Sequence, residues 1–241
     1  MGGRPVSSRV LLFSSGIDSL IAWHFVNKPK CLHITGHSRY SESELDAIER
    51  FRSIHPEMEI QVIGGLEWLR DYEQLDATLP GRNGLFALIA SYHGDAVYLV
   101  AQRGEQDLPD RSPSFFAQTS NYLSVLHGRT VEVSPVFPTM TKQDMVSWYL
   151  EKGLPTSELL STYSCFSVSQ FRCGQCSACA RTAVALEYSG VLPDDFFQRN
   201  IWEWAGWREY VVNLMAGKYE SRRTRQWLKV LNTRGLLNKN I

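Results

Sequence analysis

The chain has 241 residues, 44% of them hydrophobic and 12% aromatic, enough for one ample core, and its 25 basic and 25 acidic side chains leave no formal net charge. That balance excludes bulk attraction to nucleic acid or to anionic membranes, so contact with either must be local. No stretch approaches the roughly 18 to 20 uncharged apolar residues of a membrane span, and residues 1–8 lack the apolar core of a signal peptide, so a cytoplasmic location is expected.

In chain order, short β-branched and leucine-rich runs alternate with longer amphipathic stretches, the pattern of βα units. The expected fold class is α/β: a doubly wound, mostly parallel five-stranded sheet, with strands at 10–13, 31–34, 59–63, 96–100 and 130–134. The first apolar run breaks into "SSGIDS" before a helix near 19–26. Residues 41–54, "SESELDAIERFRSI", put Leu45, Ile48, Phe51 and Ile54 on one stripe, and Ser41 three residues before Glu44 reads as a capping box. Residues 83–93 read as a further helix. The segment "TKQDMVSWYLEKG" is another, opened by Thr141 and closed by Gly153. Past residue 192 the pattern changes: three tryptophans fall within 201–207, and 218–239 carries Lys218, Arg222, Arg223, Arg225, Lys229, Arg234 and Lys239 against a single Glu220.

A strand, tight polar turn and helix at the start of a wound sheet are where nucleotides usually bind. Small residues let backbone N–H groups converge on a phosphate; Ser14, Ser15 and Gly16 supply them, and Ser14 and Ser19 add hydroxyls. Asp18 suits the magnesium that accompanies a triphosphate. No lysine-bearing Walker loop is present. Taken alone, the turn is equally an ordinary βα turn with a serine cap.

The segment "CFSVSQFRCGQCSACAR" spaces Cys165, Cys173, Cys176 and Cys179 as C-x7-C-x2-C-x2-C. Four thiolates so close suit tetrahedral zinc, with Gly174 allowing the tight knuckle, and a closed four-sulfur site is structural rather than catalytic. An iron–sulfur cluster can use the same ligands. Cys31 falls inside a strand and reads as a core residue.

Five segments, in order, resemble those of the 7-cyano-7-deazaguanine synthases, within the N-type ATP pyrophosphatases: "FSSGIDS", "LPGRNGLFAL", "LPDRSPSFF", "VFPTMTKQDM" and "STYSCF" with "CGQCSACAR". The resemblance covers roughly 9–192. It implies an adenine nucleotide alpha-hydrolase-like domain over 1–192, with a zinc-binding insertion at 161–181, and leaves unexplained the helical, basic appendage that the residues themselves suggest over 193–241. It implies ATP at Phe13, Ser14, Ser15, Gly16, Ile17, Asp18 and Ser19, with Asp18 and Lys142 as the catalytic pair. Arg82, Asn83, Asp110 and Phe115 would meet the substrate. ATP, magnesium and zinc would be the cofactors, ammonia and a deazaguanine base the small-molecule partners, and a homodimer the assembly.

Read from the residues alone, 80–83 is also a turn opening a helix, Lys142 a solvated lysine, and Ser112-Pro113 a helix start. The chain departs from the family at three places. Ser15 replaces a glycine, Arg111 falls one place early, and "GHSRYS" over 36–41 stands where the family has a segment close to "DYGQRH". These departures and the appendage leave alternatives open: a relative stopping at the amide or attaching the base to a macromolecule, a tRNA-modifying enzyme, or a binding protein without catalysis. For the basic segment, contact with nucleic acid or protein stands beside a solvated helix face, which the residues favour.

Overall fold

A computed structural model describes residues 8–36, 38, 40–74, 79–167 and 171–237. Five strands, β1 (Arg9–Leu12), β2 (Lys30–Ile34), β3 (Ile60–Ile63), β4 (Ala96–Gln102) and β5 (Glu132–Phe137), form one parallel sheet in the order β3-β2-β1-β4-β5. The α/β class and the five-stranded doubly wound sheet are therefore as expected. Strand bounds shift by a residue or two from the sequence reading, and two strands run on at their carboxyl ends. β5 continues through Pro135, because an edge strand tolerates a residue that donates no ladder hydrogen bond. β4 runs on to Gln102, two residues further, with an irregularity between Leu99 and Gln102.

Helices cover both faces, as a parallel sheet requires. Because side chains alternate along a strand, Leu11 meets α1 (Ile17–Phe25) and α5 (Lys142–Glu151), whereas Val10 meets α3 (Arg82–Ser91) and α4 (Pro113–His127). The remaining helices are α2 (Ser41–Ile54), α6 (Thr156–Ser161), α7 (Ser177–Tyr188), α8 (Trp207–Met215) and α9 (Ser221–Thr233). Among the described residues, no helix is long and apolar enough to cross a membrane.

Two of the helix starts read from the sequence form as expected. Thr141 and Asp144 form a reciprocal capping box at α5, and Ser112 caps α4 ahead of Pro113. At α2 the expected capping box does not form, because Ser41 is already the first helical residue. Its hydroxyl accepts instead from the amides of Gly36, at 3.0 Å, and Ser38, at 3.3 Å, tying down the loop after β2. Glu44 is thereby released from capping and turned toward the interior.

The C-terminal segment packs into a core of its own. Ile201, Trp207, Val211, Leu214, Trp227, Val230 and Leu231 bury against Tyr163, Cys165, Cys179, Ala180, Ala183 and Val184. A polar seam also joins α9 to the start of α5. Thr141 Oγ1 donates to Gln226 Oε1 at 2.7 Å, and Gln226 Nε2 and Arg222 each donate to Asp144 Oδ1 at 2.8 Å. The basic segment is accordingly more engaged than a solvated face. Arg222 pairs with Asp144, Arg234 with Glu187, Arg223 lies over Tyr219 and Trp227, and Lys229 lies over Tyr188. Lys239 lies outside the described residues.

Trp227, 2% exposed, sits where α9 meets α8. Trp227→Ala should cost about 3–5 kcal/mol in urea unfolding of the whole chain. A loss below about 1 kcal/mol would show that the segment is energetically peripheral.

Candidate active site

The strand order reverses between β1 and β4, and a crevice opens there at the carboxyl ends of the strands. It is a cavity of about 340 Å³, with Phe13 and Leu99 among its apolar walls. Ser14, Gly16, Asp18, Ser19, Arg82, Asn83 and Lys142 all line it. The structure thus brings both ends of the sequence-derived site into one space.

The 14–19 turn is shaped from within. Ser15 takes a left-handed conformation, φ 58°, is fully buried, and donates its hydroxyl to the Ser14 carbonyl at 2.5 Å. Its own carbonyl accepts from the Tyr163 amide at 3.0 Å. Ser15 therefore replaces a glycine by tolerating positive φ, and its hydroxyl does not face the cavity. At Gly16, φ −76°, a Cβ would lie 2.9 Å from Ser164 Oγ, so a larger residue would have to turn that hydroxyl aside. Ser19 Oγ accepts from the Ser14 amide at 3.3 Å and donates to the Gly16 carbonyl at 2.8 Å, bracing the turn. Ile17 is fully buried in the core. The helix α1 opens without a side-chain cap and carries Asp18 in its first turn.

Both carboxylate oxygens of Asp18 accept from Lys142 Nζ at 2.6 Å, and Oδ2 also accepts from Gln102 Nε2 at 3.0 Å. Gln102 was illegible in the sequence because it lies on the part of β4 beyond the apolar run.

At the other end, Gly81, φ 75°, turns the chain into α3 so that Arg82 and Asn83 line the cavity. Asn83 Nδ2 donates to the Asp110 carbonyl at 3.4 Å. Asp110 and Phe115 are not among the lining residues. Asp110 serves through its backbone, and Phe115 packs beside Gly84 and Phe116 in the α3–α4 layer. Successive side chains on the short 3₁₀ turn Pro109–Arg111 diverge by roughly 120°, and it is Arg111 that reaches the cavity, paired with Glu105 at 2.5 Å.

Two further residues enter that sequence reasoning missed. Glu44 lines the cavity with Oε2 buried and, among the described residues, without a hydrogen-bond partner. Burial pushes its carboxyl up to about 7 against the opposing pull of Arg82, with Glu73 adding to the rise. His33 Nδ1 donates to the Phe13 carbonyl, 2.9 Å away, while among the described residues its buried Nε2 has no partner. Burial lowers its pKa, so it stays neutral and the carbonyl selects the Nδ1–H tautomer, leaving Nε2 an acceptor. Neither was legible because Glu44 fits a helix start and His33 a strand. In the altered 36–41 loop, Tyr40 stacks on Phe166 at 5.5 Å beside the cavity, while His37 and Arg39 lie outside the described residues.

The four cysteines converge against one wall. Their sulfurs lie within 4.8 Å of one another, with Cys173 to Cys179 at 3.9 Å and Cys179 to Cys165 at 3.7 Å. A tetrahedral ion bound by thiolates at about 2.3 Å spaces its sulfurs about 3.8 Å apart, so the group fits a four-coordinate metal. Amides of Cys173 and Cys179 reach Cys165 Sγ and Cys176 Sγ at 3.4 Å. Gly174, φ 69°, is required twice over, since a Cβ there would also strike the Arg199 carbonyl. Burial pushes the Cys173 thiol up to about 11, so a thiolate cluster here needs a cation. Cys31 stands apart, buried in β2.

The model for the family "Queuosine biosynthesis protein QueC" matches residues 61–190, more than half of the chain. The chain belongs to this family. The matched stretch holds Arg82, Asn83, Lys142 and the four cysteines. Among curated relatives, the 7-cyano-7-deazaguanine synthase of Sulfurovum is 29% identical over 138 residues, 54% of this chain and 59% of its own length. That of Methanothermobacter thermautotrophicus is 36% identical over 121 residues, 47% and 52% respectively. The chain thus spans little more than half the length of these two relatives. With the enzyme of Nitratiruptor it is 24% identical over 212 residues, 75% of this chain and 94% of that one.

Cys173→Ser should lower the metal content of the purified chain, read by elemental mass spectrometry, together with its thermal midpoint. A metal-depleted chain melting at the unaltered temperature would separate the cluster from folding.

Proposed function

We propose that the chain is an ATP-dependent carbon–nitrogen ligase that converts 7-carboxy-7-deazaguanine to its nitrile with ammonia, releasing AMP and pyrophosphate. One observation carries this reading: a single cavity sets the Asp18–Lys142 pair at the start of α1 opposite an unsatisfied Glu44 and Arg82. Family membership supports it from another side.

A carboxylate is a poor electrophile with a poor leaving group, so its oxygen must first be esterified. In this mechanism a carboxylate oxygen of the base attacks the α-phosphorus of ATP and pyrophosphate departs. Ammonia adds to the acyl carbon, loses a proton, and AMP leaves with the oxygen, giving the amide. The amide oxygen then attacks a second ATP, and loss of AMP with the two remaining N–H protons gives the nitrile.

These steps need positioning and charge neutralisation rather than a protein nucleophile. The small 14–16 turn and the uncapped start of α1 would face the phosphates. Asp18 would hold magnesium, which when bound supplies positive charge to the triphosphate. Lys142 adds its ammonium at the same point. Glu44, ionised, would accept from the N–H groups on the guanine-like edge of the base, and Arg82 would neutralise the carboxylate being activated. The four-cysteine metal is proposed to be zinc, closed to substrate and structural.

Incubation with ATP, ammonia and 7-carboxy-7-deazaguanine should yield the nitrile by mass. The amide as end product, or a base attached to a macromolecule, would redirect the reading, and unchanged substrate would overturn it. Asp18→Asn should slow AMP release by about 10²–10³-fold, as removal of a charge-organising group does. Because Glu44 is the acceptor only above a pKa of about 7, KM for the base should fall as pH rises through that value. Glu44→Gln should flatten that dependence, and a pH profile identical to the unaltered chain would remove Glu44 from base recognition.

A further inference from the structure

Past Lys142 the cavity continues into a narrow cleft where the start of α5 meets α7 and α9, with Gln143, Arg181, Arg223 and Trp227 among its walls. Around it most charges are balanced in pairs: Lys142 by Asp18, Arg103 by Glu220 at 2.9 Å, Arg111 by Glu105. Arg181 and Arg223 are the exceptions. Among the described residues neither guanidinium has a carboxylate or hydrogen-bond partner.

What supports these two cations is aromatic. Arg223 lies 4.8 Å from the Tyr219 ring and 5.2 Å from that of Trp227, and Arg181 lies 5.8 Å from Phe166. Stacking stabilises a guanidinium's charge but leaves its in-plane N–H fork without an acceptor. The two charges also oppose each other, since Arg223 is held below the usual arginine range by burial and next by Arg181.

A third donor is in the same condition. Gln143, 1% exposed and on the wall of the same cleft, has its amide Nε2 buried with no acceptor among the described residues. A buried amide without a partner is costly, and so are two like charges without a counter-ion. One multi-oxygen anion would satisfy all three donors, and paired guanidinium forks match phosphate oxygens bidentately.

We infer that Arg181, Arg223 and Gln143 form an anion site that receives the β- and γ-phosphates of the nucleotide and the pyrophosphate cut from it. The inference rests on reading the main cavity as an adenylating site. The Asp18–Lys142 pair stands at the junction of the two spaces, so the phosphate chain would run from the 14–19 turn past Lys142 into the cleft. Arg223 comes from α9, so the C-terminal segment completes the site as well as packing beneath it.

The test uses the full chain and inorganic pyrophosphate with magnesium, titrated by calorimetry, with AMP and ATP as companion ligands. Arg181→Gln and Arg223→Gln should each weaken pyrophosphate binding by about 10-fold or more and leave AMP binding unchanged. Arg223→Lys should fall between, keeping the charge without the fork. Should Arg223→Gln fail to fold, Arg181→Gln carries the same test. Pyrophosphate affinity within twofold of the unaltered chain in a folded Arg181→Gln variant would overturn the inference. So would an unaltered chain that binds ATP but not pyrophosphate, and in either case the ligase reading stands. An unaltered chain that binds neither ATP nor pyrophosphate overturns both.

Discussion

The carboxylate of Asp18 ties three elements together at the open end of the sheet. It belongs to the first turn of α1, takes Lys142 from the first turn of α5, and takes Gln102 from the end of β4. Those elements lie on either side of the point where the strand order reverses, so this junction fixes the shape of the crevice. The same carboxylate keeps Lys142 from adding to the surplus positive charge of the neighbouring cleft.

The crevice is polar at both ends for opposite reasons. Among the described residues, the carboxylate of Glu44 lacks a hydrogen-bond partner at Oε2 and faces Arg82 near α2, whereas near α9 Gln143 Nε2 and the guanidiniums of Arg181 and Arg223 are donors without acceptors. A site that keeps an acidic orphan at one end and basic orphans at the other suits a ligand with N–H groups at one end and phosphates at the other. The protein bears the cost of these groups in the absence of a ligand, and their number is what separates this space from an ordinary surface groove.

The helix α7 links the two ends. Ala178, Ala180, Ala183 and Ala185 are small enough for α5 and α9 to pack closely against it. Its N-terminus is pinned by Cys176 and Cys179, and the next turn presents Arg181 and Thr182 to the cavity. The cysteine cluster therefore positions a cavity wall, although its own coordination shell would be closed. Tyr163 adds a second tether by donating its amide to Ser15, so the cysteine-bearing segment also braces the turn after β1.

Much of this was legible in the residues themselves. Alternating apolar runs gave away the wound sheet, the Thr141–Asp144 box and Ser112-Pro113 marked helix starts, and the cysteine spacing announced a metal group, because each is a local property of backbone geometry or ligand reach. Ser15 was legible only as a replacement for a glycine, and its left-handed backbone and buried hydroxyl make it a serine accepting positive φ. Glu44 was misread as a cap because Ser41 found better partners across the loop, and β5 was cut short because an edge strand's tolerance of proline depends on its place in the sheet. Gln102, His33 and the Arg181–Arg223–Gln143 group were beyond reach for the same reason: their roles arise from neighbours about 20 to 85 positions away. By itself, then, the sequence determined the elements, their α/β order and the chemistry of the turn and the cysteines. Only the tertiary structure decided which polar groups end up buried without partners, since that depends on what packing from distant segments denies them.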